Sequence, residues 1–158
     1  MSEWLPQLEK LSDYGGIWER YVNALYGVFE RDFVHSAPLF EGRTVRLKRH
    51  PMHDGKEATF WHLISEGEVE ADRVPDLRRC ERMGWPCAMI QAVGTDKVVF
   101  WRNKRKGERR IVISLPDFSY IVVLAERNGY VVLWTAYCVE QEHRRKKLES
   151  EYQFSIKY

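Results

Sequence analysis

Residues 97–139 hold four β-type runs joined by short connections, and this pattern limits the fold more than any other. Val98-Val99-Phe100-Trp101 is the first run, Arg109 to Leu115 the second, Tyr120 to Ala125 the third and Tyr130 to Tyr137 the fourth. Arg127-Asn128-Gly129 separates the last two, and Asn-Gly accepts the positive φ of a tight hairpin. Short connections join antiparallel neighbours, because a parallel pair needs a long crossover. The pattern therefore predicts an antiparallel meander on which the rest of the chain must pack.

The upstream half reads as helices. Trp4, Leu5, Leu8 and Leu11 have helical spacing over residues 3–11, and Gly15-Gly16 breaks the run. Ile17, Tyr21, Val22, Leu25, Phe29 and Phe33 recur every three or four residues and predict a helix over 17–34. Residues 36–42 read as a loop, Thr44 to Lys48 as a half-buried strand and 50–55 as a turn. Residues 58–66 are expected to be a short helix stopped by Gly67. Pro75 fits the first turn of another that reaches about Met83, with Gly84 ending it and Pro86 preventing resumption. Residues 141–153 predict a closing helix with Leu148 and Tyr152 on one face. The expected class is α+β: N-terminal helices on one face of a four-stranded antiparallel sheet, with the other face open for function. Residues 1–42 read as a helical extension or cap, and 43–158 as the main domain.

With 158 residues, 44% apolar and 13% aromatic, the chain has enough material for one folded core. The net charge of +2 conceals an asymmetry, since residues 1–42 sum to −4 and leave +6 for the remainder. The bases cluster at Arg43–Arg49, Lys97–Arg110 and His143–Lys147. Such clusters attract a polyanion if they share a face, or else serve solubility and protect strand edges. Three cysteines cannot all pair, so reduced thiols are expected. The acidic start is unlike a signal peptide, and the longest uncharged apolar stretch, 129–139, is too short to cross a bilayer. A cytoplasmic protein with no membrane partner is the expectation. Phosphate-binding glycine motifs, nucleophile elbows and zinc-protease helices do not occur in the sequence, which leaves acid–base chemistry. His50 and His53 have no third ligand at a clear spacing, so neither a metal nor a cofactor is expected.

The candidate groups follow from that chemistry. His62, inside Phe60-Trp61-His62-Leu63-Ile64, can carry a proton near neutral pH, or simply pack between its apolar neighbours. Arg78 and Arg79 can clamp a phosphate, but adjacent helix positions diverge by ~100°, so at most one faces a site within a helix. Their alternative is ion pairing with Asp72, Asp76 or Glu81. Thr135 and Tyr137 share a strand face if the strand is regular and can donate hydrogen bonds to a phosphate. His143, Arg144 and Arg145 follow directly, with His143 as a possible second proton carrier. Lys104 and Arg105 lie in a basic loop beside Trp101, a combination suited to single-stranded RNA or to an exposed hairpin tip.

The segments Phe60–Gly67, Pro75–Arg82 and Ile121–Tyr152 resemble a phage- and prophage-associated nuclease family related to barnase, EndoU, the colicin tRNases and RelE. The resemblance spans roughly residues 44–155. It implies N-terminal helices against a four-stranded antiparallel sheet, with the site on the exposed sheet face. It also implies metal-independent cleavage of RNA, tRNA or mRNA, by transesterification to a 2′,3′-cyclic phosphate. His62 then matches the helix-borne catalytic histidine, Arg78 or Arg79 the phosphate ligand, and Thr135 and Tyr137 the polar residues of the last strand. A toxin or phage effector of this kind would have a cognate antitoxin or inhibitor. The competing expectations are a non-catalytic RNA-binding module and an interaction protein of a mobile element.

Overall fold

The computed structural model describes residues 3–67 and 69–157. The four runs become β5 (Val99–Arg105), β6 (Glu108–Ser114), β7 (Tyr120–Glu126) and β8 (Tyr130–Cys138), each antiparallel to the next. The sheet does not stop at four strands. β1 (Leu39–Phe40) and β2 (Arg43–Arg46) extend it to six in the order β1-β2-β8-β7-β6-β5, and β2 runs parallel to β8. The expected four-stranded antiparallel sheet is thus a six-stranded mixed one, with a separate two-stranded sheet formed by β3 (Ser65–Glu66) and β4 (Val74–Pro75). The reason is the free edge of β8. A last meander strand exposes unpaired backbone groups, and β2 covers them. That pairing joins Thr44–Arg46 to Tyr130–Val132, too far apart in sequence for any local pattern to announce it.

The enlarged sheet curls until its edges meet. The Phe40 ring on β1 packs edge-on to Phe100 on β5 at 5.5 Å, and the Arg102 Nη2 donates to the Glu41 carboxylate at 2.6 Å. The inner face carries the main core. Phe40, Val45, Ile111, Ile113, Tyr120, Val122, Leu124, Val131 and Leu133 meet α1 (Trp18–Phe29), α2 (Ala58–Ile64), α3 (Leu77–Glu81) and α4 (Trp85–Gln91) there. Tyr21, Leu25, Phe29 and Phe33, from the expected N-terminal extension, are buried in this same core.

Several local expectations change. Residues 5–10 are not helical; Leu5 is buried, the Pro6 carbonyl accepts from the Trp85 indole, and the first turn is a 3-10 segment at Leu11–Tyr14. Pro75 pairs with Ser65 in a strand, while Asp76 caps α3 by accepting from the Arg78 N–H at 2.9 Å. Pro86 does not prevent a helix but sits in the first turn of α4, where its missing N–H costs nothing. The outer sheet face is also not left open. α5 (Glu142–Lys157) lies across it, and Leu148 and Tyr152 pack on a second cluster of Trp101, Val112, Phe118, Ile121, Val123 and Val139.

Candidate active-site groove

α2 is placed by its first turn. Its free N–H groups at Ala58 and Thr59 donate to the carbonyls of Arg49 and Lys48, and the Thr59 hydroxyl accepts from the Lys48 N–H at 2.7 Å. Phe60, Leu63 and Ile64 then point into the core, while Trp61 and His62 remain half-buried. His62 is not simply packed between its apolar neighbours, the alternative to a proton carrier. The His62 side chain is 19% exposed, and its Nε2 lies 2.8 and 2.9 Å from the two Glu70 oxygens. Glu70 reaches it because the chain doubles back through β3 and β4. The hydrogen bond with His62 holds the Glu70 carboxyl below its ordinary pKa, outweighing the opposing effect of partial burial.

The same hairpin brings Arg73, and α3 brings Arg79, to the end of α2. Arg73 Nη2 donates to the carbonyls of His62 and Ser65 at 3.2 and 2.7 Å. Arg79 Nη1 donates to the same two oxygens at 3.2 and 2.6 Å and approaches the Thr135 hydroxyl at 3.3 Å. Cations suit the negative end of a helix dipole. Two of them together still repel, and burial followed by the charge of Arg79 pulls Arg73 below the usual arginine range. Asp76 pairs in charge with the Arg79 Nε at 3.8 Å, too far for a hydrogen bond, and that buried nitrogen has no hydrogen-bond partner among the described residues.

Thr135 and Tyr137 come to Arg79 through a bulge. Val123 pairs with Thr135 and Leu124 with Leu133, so Trp134 is an extra residue in β8. The bulge shifts the alternation: Val131 and Leu133 face the inner core, while Trp134 and Tyr137 pack with the outer cluster. The Tyr137 ring lies under the Arg79 guanidinium at 5.4 Å, and the Trp134 ring under Arg110 at 5.3 Å.

These groups line one groove. A cavity of about 660 Å³ is bordered by Lys48, His62, Glu70, Arg73, Lys106 and Gly67. A second of about 670 Å³ lies between the sheet and α5, bordered by Asn103, Arg105, Glu140 and Arg144 among others. Arg79, Arg110, Trp134, Thr135 and Tyr137 belong to both walls. Of the four buried side-chain atoms without a hydrogen-bond partner among the described residues, three belong to groove residues: Arg79 Nε, Arg110 Nε and Asn103 Oδ1. Unpaired buried groups are rare in folded proteins, and their concentration here marks a surface not arranged for stability alone.

Among the expected site residues, His62, Arg79, Thr135 and Tyr137 therefore converge. Arg78 does not: it pairs with Glu140 and borders a different cavity with Arg82 and Arg145. Arg145 donates to the Val139 carbonyl at 3.1 Å. Arg144 and Arg105 line the groove wall beside α5 and also border a fourth cavity with His143, which His62 does not line, and Lys104 is exposed outside these cavities. Sequence reasoning missed Glu70, Arg73, Arg110 and Trp134. Arg73 and Glu70 follow no periodic pattern, and the bulge that places Trp134 leaves no signature in the strand's composition. No protein-family model, curated protein or solved structure matches the chain.

Proposed function

We propose that the groove binds RNA and cleaves it by attack of a 2′-hydroxyl on the adjacent phosphorus. The observation that carries this reading is the contact of Arg79 with both Thr135 and the backbone of His62, in a groove where Arg73 and Arg110 add further positive charge. A phosphate seated there would relieve the repulsion between the guanidiniums, and would do so most in the transition state, when its charge is greatest. With the Glu70 carboxylate on Nε2, the neutral His62 ring carries its proton there and leaves Nδ1 as the basic nitrogen. Nδ1 takes the 2′-hydroxyl proton as the 2′-oxygen–phosphorus bond forms. The bond to the 5′-oxygen breaks, and that oxygen takes a proton from the Tyr137 phenol. The products are a 2′,3′-cyclic phosphate and a 5′-hydroxyl. Exchange with solvent returns the proton to Tyr137 and removes the one on His62.

His62→Ala should lower the cleavage rate at least ~100-fold while RNA affinity stays nearly constant. Gel analysis of a labelled RNA in EDTA, with affinity measured in parallel, checks both halves. Cleavage that persists in the variant at the parent's rate would remove His62 from the reaction. One observation favours a second reading, RNA binding without turnover: the His62 Nε2 is already held by Glu70, as in a purely structural pair. Salt-sensitive RNA affinity with intact RNA after long incubation would select it.

A further inference from the structure

The groove does not end at Tyr137. That residue also borders a cavity of about 260 Å³ whose other walls are Arg105, Val139, His143, Arg144, Lys147 and Leu148. Among the described residues no carboxylate borders this cavity. Arg105, His143, Arg144 and Lys147 form none of the salt bridges among the described residues, in contrast to their neighbour Arg78, which pairs with Glu140. His143 and Arg144 are exposed in the first turn of α5, where positive charge opposes the helix dipole, and Lys147 is exposed in the next turn. No salt bridge among the described residues offsets that placement, and the acid of the first turn is Glu142. Arg105 and Arg144 border the neighbouring 670 Å³ cavity as well, so they link the outer cavity to Arg79, in a groove where Glu66, Asp76 and Glu140 stand among the cations.

We infer that this outer cavity is a second phosphate subsite, which holds the RNA chain one or more nucleotides away from the phosphate at Arg79. The inference rests on the RNA reading of the groove. It gives His143 a different role from proton transfer, as a contact to a phosphate that does not react. It also names the substrate class as a single strand several nucleotides long. A duplex is not the occupant, because the strand must pass between α5 and the sheet, beside Trp134 and Tyr137. A dinucleotide fills the inner site only. The outer cations act on a longer chain by holding it, so they affect KM and leave kcat alone.

The test compares the full chain with His143→Ala/Lys147→Ala, the two polar walls that belong to the outer cavity alone, on a dinucleotide and on a single-stranded octanucleotide. Both positions are exposed, and a thermal melt confirms that the fold is intact. For the octanucleotide, KM should rise roughly 10-fold with kcat unchanged. The slope of log affinity against log salt should flatten by about 0.7, as expected for one lost lysine contact to a single strand. For the dinucleotide, both constants should match the parent. Equal KM and equal salt slope on the octanucleotide, with the parent active, would overturn the subsite and leave the RNA reading standing. Parent protein that neither binds nor cleaves either substrate would overturn both.

Discussion

The two faces of the sheet are built on different terms. The inner face meets four helices through fully buried groups such as Phe29, Phe60, Ile64 and Leu124, with ring contacts that include Phe60 on Phe29 at 5.5 Å and on Tyr26 at 5.2 Å. The outer face has a smaller apolar cluster under one helix, α5, of which no residue is buried. Beside it lie the unpaired nitrogens of Arg79 and Arg110 and the unpaired Asn103 oxygen. Stability is concentrated on one face, and groups that would be costly in a fold selected only for stability are gathered on the other. The sheet divides the two roles between its faces, although His62 and Arg79 reach the groove from α2 and α3, helices of the inner face.

The strongest challenge to that separation is a truncation on the inner side. Phe60→Ala should lower unfolding stability by about 3–5 kcal/mol, read from urea titration, because the ring is fully enclosed and its neighbours cannot collapse into the space. A loss below about 1 kcal/mol would show that the inner core is not the stabilising one. On the outer side the expectation reverses. Arg79→Met should reduce cleavage by about 10²–10³-fold, the cost typical of removing a preorganised donor from a transition state. Its stability should change by less than about 1 kcal/mol, because the carbonyls it serves, those of His62 and Ser65, keep their bonds from Arg73. A large stability loss together with unchanged cleavage would make Arg79 a structural residue.

What the sequence disclosed follows the range of the interactions involved. The meander strands were legible because alternation and the Asn128-Gly129 hairpin are local. α1 was legible because its apolar spacing is local too. The divergence of Arg78 from Arg79 follows from helix geometry alone, although which of them faces the groove depends on tertiary packing. The parallel pairing of β2 with β8, the curl that joins Phe40 to Phe100 and the placement of α5 on the outer face depend on contacts distant in sequence. They left no trace in periodicity. The bulge at Trp134 shows how a single inserted residue matters: a regular strand would put Leu133 on the face of Thr135 and Tyr137, whereas the observed one sends Leu133 to the core and Trp134 to the groove.

The smallest expected effect is the most specific to the groove. Glu70 is half-exposed, and its pKa is held below the ordinary value of 4.5, first by the hydrogen bond from His62. A carboxyl with a depressed folded-state pKa contributes stability above its unfolded pKa, and loses it as pH falls through the folded value. The contribution should therefore be complete above pH about 5 and decline at more acid pH. At this exposure solvent screens the pair, so it amounts to about 0.5 kcal/mol. Glu70→Gln should accordingly be slightly less stable than the parent at pH 7, and the two should converge as pH falls below the ordinary carboxylate range. Denaturant titrations at stepped pH values measure this directly. A gap that stays constant or widens towards acid would mean that the His62–Glu70 bond does not set the titration of Glu70, and the assignment of Nδ1 as the basic nitrogen would lose its support.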